Sequence, residues 1–330
     1  MKVANEAAAA GVAGAHRPGS PERDAILLVN LGTPAAPDEA AVRSYLAEFL
    51  SDPRVVAIPR FIWLPLLHGV ILRRRPAISA QKYRSIWMPE GSPLAVYTRR
   101  QASLLQERLP DHRVAWAMRY GTPSIADGLR KLDGCRRVVV LPLYPQFSES
   151  TTESVRDLTP KSALFVESFH DHPAYISAVA GGIRRHWASY GEPNVLVMSF
   201  HGLPQRSIDR GDPYRDQCLA SARLIASALG LNDGRLRVSF QSRFGRARWI
   251  QPYTTDVLAE LGRLATTRVD VVCPGFTSDC LETLEEIAIE GREVFVKNGG
   301  CEFRLVPCLN DSSDWIDALA QIALERCAKA

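Results

Sequence analysis

Val195-Leu-Val-Met-Ser-Phe-His201-Gly-Leu-Pro204 is the stretch on which the rest of the chain turns. Its six largely apolar residues are too few for a helix. They predict a buried strand, and Gly202 and Pro204 stop it at once. His201 therefore stands where the strand stops, which in an open parallel α/β sheet is the ligand-facing edge. A lone histidine there is more often a satisfied structural residue than a catalyst. The same pattern occurs earlier, however. Ile26-Leu-Leu-Val-Asn-Leu31-Gly-Thr-Pro34 is again an apolar run closed by x-Gly-x-Pro, and Leu31 holds the place of His201. Two such units predict two similar half-molecules around a shared cleft, with one wall apolar and the other basic.

With 330 residues the chain has room for two α/β domains, each with its own core. A net charge of +4 without a dense basic run favours anionic ligands slightly and gives no ground for nucleic-acid binding. The cysteines (135, 218, 273, 280, 301, 308, 327) are odd in number and never spaced Cys-x-x-Cys. That pattern predicts reduced thiols in a cytoplasmic chain rather than a disulfide framework. Residues 1–23 form an Ala/Gly/Pro-rich stretch without the Leu/Phe core of a signal peptide, so a disordered tail is expected. No apolar run reaches the roughly 20 residues of a membrane span. The nearest, Phe61-Ile-Trp-Leu-Pro-Leu-Leu-His-Gly-Val-Ile-Leu72, is flanked by Arg60 and Arg73-Arg-Arg75. It reads either as a buried helix kinked at Pro65 or as an apolar lip that meets a membrane surface or a greasy anionic ligand.

Strands at 26–31, 114–118, 137–144, 195–200, 236–241, 269–273 and 303–306 alternate with helices at 37–49, 98–109, 123–132, 213–229 and 254–265, a long helix ending near Gly291, and one at 313–327. The alternation implies parallel βαβ units with right-handed crossovers. The expected plan is a Rossmann-like domain at 24–190 carrying the lip, a second at 191–311 carrying His201 and Glu282, and a terminal helix at 312–330 that packs back on the first. No Gly-x-Gly-x-x-Gly or phosphate loop occurs, so a nucleotide cofactor is unsupported.

Four strand ends carry chemistry: Arg119-Tyr120, Tyr144, His201 and the Asp279/Glu282 pair. A neutral imidazole can take a proton or bind a borderline metal near neutral pH. Asp279 and Glu282 also fit an Asp-led capping box, which would make them helix-start residues only. Glu282, Glu286 and Glu290 fall at i, i+4 and i+8, on one face of a helix. That face is either a solvated surface or a carboxylate path that conducts Fe²⁺ inward or protons outward.

Six segments in order resemble the ferrochelatases, which insert ferrous iron into a porphyrin. They are LLVNLGTP (27–34), EGSPL (90–94), LPLYPQFSESTT (141–152), SFHGLPQRS (199–207), FQSRFGRARWIQPYT (240–254) and CPGFTSDCLETLEEI (273–287). The resemblance implies two Rossmann-like domains with parallel sheets and a tetrapyrrole between them, and Fe²⁺ insertion into protoporphyrin IX with loss of two pyrrole protons. It implies that His201 and Glu282 handle metal and protons, with Asp279, Glu286 and Glu290 along the path. Tyr144, Trp249 and Phe276 would line the porphyrin face. Ser92, Arg119 and Tyr120 would sit at the ring edge beside a propionate, with Arg75 a weaker candidate there, and Ser148 would lie close to the ring. Relatives that act on coproporphyrin place a Tyr where Leu31 stands, so Leu31 favours the protoporphyrin branch. Iron–sulfur clusters need about four cysteine thiolates. Here the loop after Tyr144 has Glu149 and the last twenty residues hold only Cys327, so no cluster and no resident cofactor are expected. A cytoplasmic monomer, touching membrane through 61–72, completes the expectation. Two rivals remain: a chelatase for another metal or tetrapyrrole, and a non-catalytic haem carrier.

Overall fold

The computed structural model describes residues 23–245 and 247–329. The tail expected at 1–23 lies, but for Arg23, outside the described residues. Two four-stranded sheets, every pairing parallel, carry the fold. The first contains β1 (Ala25–Gly32), β2 (Arg113–Tyr120), β3 (Val138–Pro142) and β4 (Leu164–Phe165). The second contains β5 (Val195–His201), β6 (Leu236–Gln241), β7 (Arg268–Val272) and β8 (Glu302–Leu305). The first runs β2-β1-β3-β4 and the second β6-β5-β7-β8, the same order twice. In each, the chain crosses from one side of the leading strand to the other. The carboxyl ends of β1 and β5 are therefore switch points, where such sheets open a crevice. Leu31 and His201 stand at those two ends.

Each half buries an apolar cluster of its own, as its length led us to expect, and the two halves also share a larger one. Ile26, Leu28 and Leu141 of the first sheet share one apolar cluster with Met198, Phe200 and Phe240 of the second. Tyr175, Ile183, Trp315 and Leu319 join them, from the helices Pro173–Tyr190 and Ser313–Ala328. The alternate residues face the other way, Leu27 and Val29 into one smaller cluster and Val197 and Val271 into another. Parallel strands are apolar on both faces, and here one face of each sheet is closed by helices that serve both. The terminal helix lies against Pro93–Arg108, Pro173–Tyr190, β3 and β4, and Arg137 donates to the Cys327 carbonyl at 3.1 Å.

Two long helices were not anticipated, Leu72–Ile86 and Pro173–Tyr190. The first is hidden by its charge and by Pro76. Leu72, Pro76, Ala80 and Tyr83 nevertheless form its buried stripe. A proline inside a helix leaves the carbonyl four residues earlier without its partner. Arg43 donates to the Leu72 carbonyl and supplies one. The 61–72 segment is consequently not a short helix but the start of a helical run, Arg60–Leu66, a wide turn Leu67–Ile71, then Leu72–Ile86. It is also only half buried. Trp63 and Leu67 face in, while Phe61, Ile62 and Val70 are 79%, 54% and 45% exposed.

Candidate active site

His201 is half-buried at the last position of β5. Its Nδ1 lies 2.6 Å from the Gly202 carbonyl. A carbonyl oxygen only accepts, so Nδ1 carries a proton, and the lone pair of the neutral form of this ring lies on Nε2. The rings of Trp249 and Phe276 are each centred 6.4 Å from the imidazole, tilted 50° and 53° to it. Trp249 Nε1 and the Tyr144 hydroxyl are buried and have no hydrogen-bond partner among the described residues. Buried polar groups rarely remain so, and a ring-shaped polar ligand is one way to satisfy them.

Glu282 begins its work from the short helix Leu281–Leu284, and its carbonyl accepts from Gln241 Nε2 at 2.7 Å. The Asp279/Glu282 capping box does not form. Thr283 bonds back to the Cys280 N–H at 3.0 Å and donates to Asp279 at 2.9 Å. Asn310 binds the other carboxylate oxygen at 2.6 Å, so buried Asp279 is fully engaged. The helix expected to run unbroken to Gly291 is instead Leu281–Leu284, a π-type stretch Glu286–Gly291, and Arg292–Lys297. Wider π turns shift the phase of a helix, and the three glutamates no longer share one face. Glu286 turns inward and accepts from Ser242 N at 2.6 Å and Ser242 Oγ at 2.5 Å. Burial pushes its carboxyl above the usual range, against the pull of Ser242 and of nearby His201, and with a contribution from the charge of Glu282. Glu290 turns outward to Lys82 at 2.7 Å, which also holds Glu285 at 2.9 Å.

The other expected residues divide into open and occupied. Arg119 donates to Ser154 and forms an ion pair with Asp52. The buried Tyr120 hydroxyl donates to the same carboxylate at 2.8 Å. The Arg119 charge and the Tyr120 hydroxyl are thus both directed at Asp52. Buried Ser92 accepts from Thr33 Oγ1 at 2.8 Å. Buried Ser148 donates to Asp212 at 2.9 Å, within a loop that Glu149 N and Phe147 N also tie to Asp212 and Gln217. Arg75 differs: its guanidinium lies 4.2 Å above the Phe244 ring, and among the described residues no carboxylate pairs with it. Leu31 is half-buried beside Gly32, which has φ +120° and where a Cβ would fall 1.9 Å from the Tyr120 carbonyl. Only glycine turns the chain there. Gln241 and Ser242 fall inside the quoted 240–254 segment but carry no role in the sequence reading, and Asp52 and Lys82 fall in no quoted segment; each matters through a partner far away along the chain, Glu282, Glu286, Arg119 and Glu285 respectively.

A family model described as ferrochelatase matches residues 23–327. The chain belongs to the ferrochelatase family. The ferrochelatase of Azoarcus sp. (strain BH72) is 57% identical over 318 residues, 92% of this chain and 88% of that protein. That of Aromatoleum aromaticum is 57% identical over 328 residues, covering 94% and 90%. That of Bordetella pertussis is 51% identical over 320 residues, covering 92% and 88%. As a ferrochelatase-family chain it is an enzyme, a lyase of haem biosynthesis whose substrates are ferrous iron and a porphyrin.

Proposed function

We propose that this chain inserts Fe²⁺ into protoporphyrin IX at His201. The observation that carries the reading is the imidazole set between Trp249 and Phe276 with its Nε2 lone pair free. Insertion expels two pyrrole protons, so it needs a base on one face of the macrocycle in a slot from which water is excluded. Glu282 shares the incoming ion with the imidazole, a borderline-nitrogen and hard-oxygen pair that suits Fe²⁺ without trapping it. As the ion leaves for the ring, Nε2 of His201 is freed to take one pyrrole proton and the Glu282 carboxylate to take the other. Glu286, its carboxyl raised by burial, accepts protons from this pair and passes them outward. Leu31 on the opposite wall offers no ligand, which favours protoporphyrin over coproporphyrin. We assign the propionate contact to Arg75, which pairs with no carboxylate among the described residues, rather than to Arg119, whose charge Asp52 already matches.

The outward face of the lip, Phe61, Ile62, Leu66 and Val70 beside exposed Arg60, Arg73 and Arg74, fits an interfacial helix on an anionic membrane. No helix among the described residues is long and apolar enough to cross one. We place the protein in the cytoplasm as a monomer. We assign it no iron–sulfur cluster: burial pushes the thiols of Cys218, Cys273, Cys280 and Cys308 up, which disfavours the thiolate that a cluster requires.

The test is anaerobic insertion of Fe²⁺ into protoporphyrin IX, followed by absorbance, with coproporphyrin III in parallel. Fast turnover of protoporphyrin and slow turnover of coproporphyrin support the reading. Faster turnover of coproporphyrin overturns the Leu31 argument. Tight porphyrin binding without turnover makes the chain a carrier.

A further inference from the structure

Two groups act together at the site, yet they stand on different elements. His201 closes β5, and Glu282 belongs to a helix that follows β7. One residue touches the backbone of both. Gln241 is the last residue of β6 and lies in register beside His201. Its carbonyl accepts from Gly202 N at 2.7 Å. The Gly202 peptide is thus held from two sides, its N–H by Gln241 and its carbonyl by the imidazole Nδ1 of His201 at 2.6 Å. A Cβ on Gly202 would stand 2.7 Å from the Gln241 carbonyl, so the approach admits only glycine.

The Gln241 side chain reaches the other way. Its Nε2 donates to the Glu282 carbonyl at 2.7 Å. Because that carbonyl can only accept, the amide orientation is settled, and Oε1 faces Ser199. Ser199 Oγ donates to Oε1 at 2.6 Å and is itself bonded to Thr254 Oγ1 at 2.8 Å, which reaches Ser239 at 2.9 Å. All of these side chains are buried. Satisfied buried networks hold one geometry, because every alternative leaves a polar group unpaired.

We infer that Gln241 is a positioning residue that fixes the distance between the imidazole of His201 and the carboxylate of Glu282, joining the two through its main chain and its amide. The inference rests on the reading of His201 and Glu282 as the metal-handling pair. Groups that orient metal ligands typically contribute 10–100-fold to metal affinity. Loss of the Gln241 amide should therefore weaken capture of the ion and slow insertion, while the aromatic slot still takes the porphyrin.

The experiment uses the full chain with Gln241→Met, Gln241→Glu and Ser199→Ala, and with His201→Ala as reference. Co²⁺ is titrated without porphyrin and followed by its visible absorption. Protoporphyrin IX affinity is measured by fluorescence quenching, and kcat and KM by anaerobic insertion. Gln241→Met is expected to lose about tenfold or more in both Co²⁺ affinity and kcat, with protoporphyrin affinity within about twofold of wild type. Gln241→Glu keeps the shape and the acceptor, and its carboxylate cannot donate to Glu282, so measured above the pH at which it ionises it should fall equally even if the Met variant folds poorly. Ser199→Ala leaves the amide in place and should lose only a few-fold. Wild-type Co²⁺ affinity and kcat in either folded Gln241 variant would overturn the inference. So would parallel loss of porphyrin affinity and Co²⁺ affinity, which marks a plain structural role. If His201→Ala itself binds Co²⁺ and turns over normally, the reading of the pair fails first. If His201→Ala fails and the Gln241 variants do not, only the inference falls.

Discussion

β1 and β5 occupy the same position in two sheets of the same strand order, and they end differently. At the end of β1 itself the hydrogen-bonding side chains are neutral, Asn30 donating to Thr98 at 3.0 Å and Thr33 to Ser92 at 2.8 Å, and the charges of Arg119 and Asp52 on neighbouring elements are matched to each other. Around the end of β5 stand an imidazole and carboxylates, His201 with Glu282 and Glu286. Repeated topology supplies two equivalent strand ends, each at the switch point of its own sheet. The residue at each end decides which wall does chemistry. The arginines repeat the lesson in the first half alone. Arg119 stands near the end of β2 with its charge already matched by Asp52, whereas Arg75 stacks on Phe244 and pairs with no carboxylate among the described residues. Proximity to a site does not make a charge available to it.

The comparison of the two strand ends breaks most sharply at His201. His201→Ala should cut Fe²⁺ insertion by at least about a hundredfold, the usual worth of a placed base. Leu31→Ala should change kcat by less than about tenfold, and fluorescence quenching should show protoporphyrin bound by both variants. A larger loss from Leu31→Ala would mean that the walls share the chemistry.

The two arginines separate by the kind of damage they cause. Asp52→Ala leaves Arg119 charged and enclosed, and removing one partner of a buried ion pair typically costs about 3–5 kcal/mol. Urea denaturation should register that loss. Arg75→Ala should leave the urea midpoint in place and raise KM for protoporphyrin about tenfold, the scale of a charge-assisted hydrogen bond. Arg75→Ala with an unchanged KM would return the propionate to another residue.

On the lip, Phe61→Ser with Ile62→Ser should weaken sedimentation with anionic vesicles several-fold, since an apolar side chain gains about 1.5–3 kcal/mol only when fully removed from water. Activity on soluble porphyrin should not change. The smallest effect is expected at Glu286. Its carboxyl is raised by burial, so the folded chain holds that proton more tightly than the unfolded one does. The associated stability is complete below the ordinary carboxylate value of about 4.3 and is lost as pH climbs through the raised value. Glu286→Gln escapes that loss. Its melting temperature relative to wild type should therefore rise between pH 4 and pH 7, and a constant difference would contradict the assignment.

Much of this architecture was legible in advance. Strand ends at Leu31 and His201 followed from apolar runs cut off by glycine and proline, because short buried strands and their stops are local events. The strand at 236–241 and the helix at 213–229 fell within a residue of their observed limits. Leu72–Ile86 escaped because its buried stripe is diluted by arginines and by Pro76, whose cost is relieved by Arg43 on another helix. The glutamate ladder bent because a π-type stretch replaced a regular turn, and nothing in the spacing of 282, 286 and 290 announces that.

By itself the sequence determined which residue types stand at the ends of the strands, since those depend on order along the chain. It determined the family too, through motifs spread over nearly its whole length. Only the tertiary structure decided which of those residues are free to act. Asp52 neutralises Arg119, Asp212 engages Ser148, Lys82 draws Glu290 outward, and Gln241 joins His201 to Glu282. A charge or hydrogen bond is assigned by distance in space, and distance in space between residues far apart in sequence is set only when the chain has folded.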